Sequence, residues 1–258
     1  MREDTAAFYN DLAEYYHLIY EDWDRSIERQ TSVLGPLLED RVGPAPLKIL
    51  DCGCGIGTQA IGLARLGHTV IASDLSDASV RRAEREAHAR GLKVEFHVAD
   101  MRNLSSLPAF DFDVVLAADN SLPHLLSDDD LTQALKNISA RLRPGGLFLA
   151  TIRDYDSLLQ TRPSVQGPAF YSENGRRRIV HQIWDWHENR YTVHLYLTWE
   201  TDSGWTTKHY ASQYRAIKRK ELSDSLESSG FREIEWLMPE SSSFYQPIIV
   251  ARKAATML

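Results

Sequence analysis

The stretch ILDCGCGIGTQAIGLARLGHTVIASDLS, residues 49–76, sets an acid, Asp51, ahead of three glycines, Gly53, Gly55 and Gly57, and a second acid, Asp74, one helix-length later. Glycines where a strand runs into a helix permit a tight turn and let a ligand approach the backbone without side-chain interference. Phosphate-binding loops share that logic, but no lysine followed by Ser or Thr comes after this one, and Gly53-Cys54-Gly55-Ile56-Gly57 lacks the G-x-G-x-x-G spacing of dinucleotide binders. An acid leading the loop would confront a pyrophosphate and suits a ligand carrying ammonium and sulfonium charge. Asp74, closing the next strand, can accept both hydroxyls of a ribose. Cys52 and Cys54 sit too close together for a comfortable disulfide and lack a second ligand pair for zinc, so they read as small reduced residues of a cytoplasmic protein.

Three segments position these groups. Residues 1–46 form a helical lead in which Tyr9, Leu12, Tyr15 or Tyr16, Ile19, Tyr20 and Trp23 recur at spacings of three and four, ended by Gly43-Pro44-Ala45-Pro46. From Leu47 to Arg153 apolar strands alternate with helices: LKILD, a helix over 59–66, HTVIAS, a helix over 78–90 ended by Gly91, KVEFHV, FDVVLAA, a helix over 128–142 ended by Pro144-Gly145-Gly146, and LFLATI. This alternation argues a parallel sheet covered on both faces. Ser127 is an N-cap, and Asp128, Asp129 and Asp130 complement the helix dipole in the first turn, a better account of the triplet than a metal site.

Beyond Arg153 the alternation has period two, in RRIVHQIWDW, YTVHLYLTW and WTTKHYASQYRA, joined by turns at 187–190 and 202–204; this is an antiparallel meander. A helix over 220–228 and the strands FREIEWL and YQPIIVAR then return to the parallel style. The expected fold is α/β and doubly wound, a mostly parallel seven-stranded sheet with helices on both faces and an inserted antiparallel β lid over its carboxyl edge. The division is an N-terminal helical cap at 1–46, a Rossmann-like core at 47–153 and 218–258, and the lid at 154–217.

Of 258 residues 43% are hydrophobic and 25% charged, as in a soluble globular protein, and the one promising apolar run, 145–152, is stopped by Arg153 well short of a membrane span. The acidic opening MREDTAAFYNDLAEYY is no secretory leader. With 29 Lys plus Arg against 36 Asp plus Glu, the net charge of −7 disfavours nucleic acid and anionic membranes and favours a small-molecule substrate. Gly175-Arg176-Arg177-Arg178 reads as a solvated hairpin end, with an anion site as the alternative. Monomer and homodimer both stay open.

DCGCGIG at Asp51, the acid in IASDLS and the ADM at Asp100 together resemble the class I, Rossmann-like S-adenosylmethionine-dependent methyltransferases over residues 47–153, and the last 40 residues follow them in order of elements. The resemblance implies that Asp51 with Gly53, Cys54 and Gly55 lies beside the methionine part of S-adenosylmethionine, that Asp74 with Leu75 holds the ribose, and that Asp100 and the Met101 backbone face the adenine. Tyr16 belongs to the same cofactor site. A nicotinamide-binding domain is the competing reading.

YNDLAEYYHLIYEDWD, NSLPHL, IRDYD and YRAIKRKEL are similar to the glycine and sarcosine N-methyltransferase branch. That similarity puts Tyr9 at the sulfonium, Asn120 at the substrate and Arg153 on a substrate carboxylate. Asn120 is followed by Ser121, Leu122 and Pro123, not by the Pro-Pro-aromatic of DNA and protein-glutamine methyltransferases. Arg153 is costly at a strand end unless its donors meet an anion, which is either a substrate or Asp154 or Asp156. His124 is a substrate-side hydrogen-bonding group or weak base, or a structural histidine after a turn. Of the aromatics Trp184, Trp186, Tyr191, Tyr196, Trp199, Trp205, Tyr210 and Tyr214, alternation sends half to each sheet face; Trp186, Tyr214 and Arg215 are the expected lid contacts to substrate. The expected reaction is methyl transfer to a small amine without metal, with alignment as the chief contribution. Methyl transfer to a natural-product hydroxyl, and a non-catalytic S-adenosylmethionine-binding module, are the alternatives.

Overall fold

The computed structural model describes residues 2–108, 111–173 and 175–254. Residue 1 and residues 255–258, the outer ends of the expected cap and core, lie outside the described residues. In chain order the elements are α1 (Arg2–Leu12), a 3-10 turn (Tyr16–Ile19), α2 (Trp23–Arg41), β1 (Lys48–Asp51), α3 (Thr58–Arg65), β2 (Thr69–Asp74), α4 (Asp77–Ala89), β3 (Val94–Val98) and β4 (Phe112–Ala117). Then follow a 3-10 turn (Leu122–His124), α5 (Asp128–Arg141), β5 (Leu142–Thr151), α6 (Tyr155–Thr161), β6 (Val165–Glu173), β7 (Arg176–His187), β8 (Arg190–Thr201), β9 (Gly204–Arg215), α7 (Arg219–Ser228), β10 (Phe231–Leu237), α8 (Pro239–Ser242) and β11 (Ile248–Lys253).

Seven strands pair in the order β10-β11-β5-β4-β1-β2-β3, and β6 to β9 form a separate four-stranded antiparallel sheet. Successive residues of each central strand face opposite sides. Leu50, Val115 and Phe148 therefore join one core with Leu131 and Ile138 of α5. Ile49, Val114 and Leu149 join the other with Leu34 and Leu38 of α2. Strand order reverses between β1 and β4, and a ligand crevice opens beyond the carboxyl ends at such a switch point. No helix among the described residues is long and apolar enough to cross a membrane.

Five local readings change. The lead is two helices and a turn, because its aromatics serve two surfaces: Phe8 and Leu12 pack on Val180, Leu195 and Tyr210, whereas Trp23 and Ile27 pack on Ile56 and Ile61. Asp22 restarts the chain as a helix by accepting the Arg25 N–H at 3.0 Å. Pro144-Gly145-Gly146 does not separate α5 from the next strand but bulges within β5, where register jumps from Phe112 opposite Leu142 to Val114 opposite Leu147. β6 has no clear period-two signal in the sequence because Gly167-Pro168 interrupts its alternation at the sheet edge, where the register also shifts. Neither β6 nor α6 is among the expected elements. β11 runs antiparallel to both β5 and β10, since the short connection through α8 cannot make a parallel crossover.

Candidate active site

The register of β1 with β2 and β4 brings Asp51 level with Ala72 and Leu116, so the glycine loop leaves the sheet at its carboxyl edge. Gly53 passes so close to Ser121 that a Cβ there would lie 3.0 Å from the serine Cβ. Gly55 adopts φ +52, and its N–H donates to Asp74 Oδ2 at 2.9 Å. The loop, with Asp74 and Leu75 after β2, Asp100 and Met101 after β3, and Tyr9, Tyr16 and His124 above, lines one cavity. Cys54 lines it too; burial raises its thiol pKa, leaving it protonated and unreactive.

Asp74 accepts the Ser76 N–H at its other oxygen, 2.8 Å, so both oxygens are oriented and each keeps a lone pair. Asp100 is held by the Arg102 guanidinium, whose Nη2 donates at 2.6 Å, and Arg102 reaches Asp130 as well. Asp51 is fully buried behind the loop rather than in the cavity wall, and neither of its oxygens has a hydrogen-bond partner among the described residues. Burial, then the charges of Asp74 and Asp119, push its carboxyl up to about 8, although the Gly53 and Ala60 amides lean the other way. Asp51, Asp74 and Asp119 form no salt bridge among the described residues, so the loop is ringed by acids awaiting positive charge. This donor set fits a sulfonium and ammonium ligand and opposes a pyrophosphate.

A second cavity adjoins the first between the strand ends and the inner face of the antiparallel sheet, lined by Asp119, Asn120, Arg153, Gln166, Gln182 and Tyr214. Asp119 and Asn120 both take positive φ, 53° and 66°, which lets the chain double back so that the Asn120 N–H meets Thr151 O at 2.9 Å. Asn120 Oδ1 accepts from the Arg153 N–H at 3.1 Å and from the Tyr155 hydroxyl at 2.9 Å. Tyr155 therefore accepts from Tyr191, 2.8 Å away, and Tyr191 accepts from Arg153 Nη1, also at 2.8 Å. This closed circuit fixes the amide of Asn120 and leaves its Nδ2, buried, without a partner among the described residues.

Arg153 lies over the rings of Trp184, at 4.7 Å, and Tyr214, at 5.4 Å, and forms no salt bridge among the described residues. Its neighbours Asp154 and Asp156 are engaged by Arg219. The ion-pair alternative for Arg153 is thereby removed. Tyr9 OH lies 2.8 Å from His124 Nε2. Burial pushes the imidazole down to about 3 and the Tyr9 hydroxyl well up, so the pair is neutral. His124 Nδ1 is buried without a hydrogen-bond partner among the described residues. Phe8, one residue from Tyr9, faces the core instead.

Two expected contacts are elsewhere. Trp186 stacks against Tyr191 at 4.5 Å and donates to Pro163 O, farther along the same strand face as Trp184 and outside both cavities. Arg215 is buried against Asp128 and Glu221, which neutralise it away from both cavities. The basic run is spent likewise: Arg176 pairs with Asp202, Arg177 with Glu200 and Arg178 with Glu173. Buried Arg178 also donates to the carbonyls of Leu18, Tyr20 and Glu21, binding the lead to the antiparallel sheet. Asp119 and Gln59 were not anticipated, and Ser121, Tyr155 and Tyr191 entered only through the NSLPHL and IRDYD motifs and the set of lid aromatics, without a role of their own.

A doubly wound sheet with an acid-ringed glycine loop at its switch point is the arrangement of the class I S-adenosylmethionine-dependent methyltransferase fold. Residues 49–146 match the family profile described as a methyltransferase domain. The glycine N-methyltransferase of Rattus norvegicus is 36% identical over 135 residues, 48% of this chain and 46% of that protein. The ubiquinone biosynthesis O-methyltransferase of Methylocella silvestris is 39% identical over 117 residues, 44% of each chain. The matched region spans 44%, 46% and 61% of the length of three such curated relatives. Streptomyces venezuelae DesVI superposes with a TM-score of 0.81 at 19% identity, covering 94% of this chain and 98% of that one. The S-adenosylmethionine-bound amino pentose methyltransferase of Micromonospora echinaspora superposes at 0.71 and 19% identity, over 87% and 90%. At these identities the likeness is one of fold. The chain has the class I S-adenosylmethionine-dependent methyltransferase fold, and its residues 49–146 match a methyltransferase domain.

Proposed function

We propose that the chain transfers a methyl group from S-adenosylmethionine to the nitrogen of a small amine that also bears a carboxylate. The observation that carries this reading is Arg153: a guanidinium lying over the rings of Trp184 and Tyr214, open to the second cavity and unclaimed by any carboxylate of its own chain among the described residues. Such a group holds an anion bidentately, contributing about 1.5 to 3 kcal/mol and fixing its orientation. A glycine N-methyltransferase among the relatives agrees.

In this reading Asp74 holds the ribose hydroxyls, Asp100 and Met101 face the adenine, and the loop at Gly53 and Gly55 receives the methionine part, with Asp51 beneath supplying negative potential. Bound there, S-adenosylmethionine supplies a methyl group on a positively charged sulfur. The chain supplies alignment, which can remove roughly 7 to 11 kcal/mol from a two-reactant barrier. Asn120 Nδ2 offers a donor to the acceptor, and Tyr9, held by His124, lines both cavities where they adjoin. Tyr214 contributes both to the ring contact with Arg153 and to the cavity wall.

Ubiquinone biosynthesis O-methyltransferases among the relatives favour a hydroxyl acceptor as the second reading. That reaction needs a poised base, and His124, with a pKa of about 3, is a poor one. A methyl-transfer screen over amines and phenols, with and without a carboxylate, separates the two. For a carboxylated amine, Arg153→Ala should raise acceptor KM about 10- to 100-fold with donor affinity unchanged. An unchanged KM with lowered thermal stability would make Arg153 a structural residue.

A further inference from the structure

Among the charged residues lining the second cavity, Glu21, Asp22, Arg25, Glu28 and Arg29 are exposed at its mouth, whereas Asp119 and Arg153 lie deep. Of these two, Asp119 lines the first cavity as well and Arg153 does not. A negative charge thus stands where the cavities meet, and a positive one stands away from that junction.

The carboxylate of Asp119 is half used. Oδ2 accepts from Gln59 Nε2 at 2.9 Å, and the same amide nitrogen donates to Gln30 Oε1 at 2.6 Å, so the group is held from below. Oδ1 is buried with no hydrogen-bond partner among the described residues. The backbone is pinned as well, by the Asp119 N–H to Thr151 Oγ1 at 2.9 Å, and the threonine hydroxyl in turn donates to Gln246. A carboxylate so oriented, with an idle buried oxygen at the junction of two ligand cavities, is built to meet a cation.

We propose that Asp119 recognises the ammonium group of the acceptor and takes its proton. This rests on the amine reading above and adds the residue that selects for it. The proton passes from nitrogen to Asp119, the N–H bonding pair stays on nitrogen as the lone pair that accepts the methyl group, and the methylated nitrogen carries the positive charge again. Burial raises the Asp119 pKa, against the opposing pull of Gln59, Gln30 and Tyr20, which narrows the gap the proton must cross. With Arg153 farther off, a zwitterionic acceptor is oriented nitrogen first.

The test needs no acceptor. Sinefungin is the donor analogue in which an amine-bearing carbon replaces the methylsulfonium, so it carries an ammonium where the two cavities meet; S-adenosylhomocysteine has a neutral sulfur there. Asn accepts positive φ as readily as Asp, so Asp119→Asn preserves the turn. Calorimetric titration of both ligands into the full-length protein and this variant should leave S-adenosylhomocysteine affinity within about twofold and weaken sinefungin about 10- to 100-fold, the loss of one charge-assisted hydrogen bond. Parallel weakening of both would place Asp119 on the donor's own amino acid and overturn the proposal. So would no change in either. Failure of the unmutated protein to bind either ligand would overturn the proposal together with the donor-site reading beneath it.

Discussion

Asp51 makes the donor site a proton-linked one. In the ligand-free protein its carboxyl titrates at about 8, so at pH 7 it is roughly 90% protonated. A cationic ligand over the glycine loop favours the carboxylate, and restoring an ordinary pKa releases about 0.9 proton on binding. Affinity should therefore climb about tenfold per pH unit, or about 1.4 kcal/mol, up to pH 8 and then level off. The same raised pKa means that the empty fold loses stability as pH rises from about 4 through 8. The assay is calorimetric titration of S-adenosylmethionine at pH 7 in buffers of different ionisation enthalpy, on the natural sequence and on Asp51→Asn. The proton count should drop by about 0.9 in the variant, any contribution from the ligand's own amino group cancelling in the comparison. An equal proton count in both proteins would refute the electrostatic account of the loop.

His124 gives a second pH signature: with its pKa depressed to about 3, protonation opposes folding, so stability should hold above about 6.5 and fall by up to about 1.4 kcal/mol per pH unit as pH drops toward 3, a slope that His124→Gln flattens in denaturant melts. Gly53→Ala should weaken donor binding at least tenfold, since the new methyl meets Ser121 at 3.0 Å, and adding Ser121→Gly should recover part of the loss in the same titration. Arg178→Ala strands three carbonyls of the lead and should lower unfolding free energy by about 2 to 4 kcal/mol, read in urea, while loosening Tyr16 from the donor cavity.

The parallel core was legible because its strands are continuous apolar runs and its helices carry their own caps; Ser127 accepting the Asp130 N–H is one such signal. The donor loop was legible for a similar reason, since Asp51, the glycines and Asp74 are local in sequence. What escaped depends on contacts between distant segments. Nothing near Arg215 announces that Asp128 and Glu221 will neutralise it, and nothing near Tyr191 announces the circuit through Tyr155 to Asn120. Trp186 and Tyr191 sit opposite each other in register, yet only Tyr191 completes that circuit; strand alternation names two faces without saying which residue along a face reaches a cavity.

The back-to-back left-handed residues at 119 and 120 also bear on how this scaffold can change. Only glycine, asparagine and aspartate adopt that conformation cheaply, and the two positions lie together in the wall of the second cavity. A randomised library there would return a handful of survivors. New acceptor preferences must instead arise from Gln166, Gln182 and Tyr214, each on a different strand of the smaller sheet, so diversification is expected to proceed by exchanging the cover while the floor stays fixed.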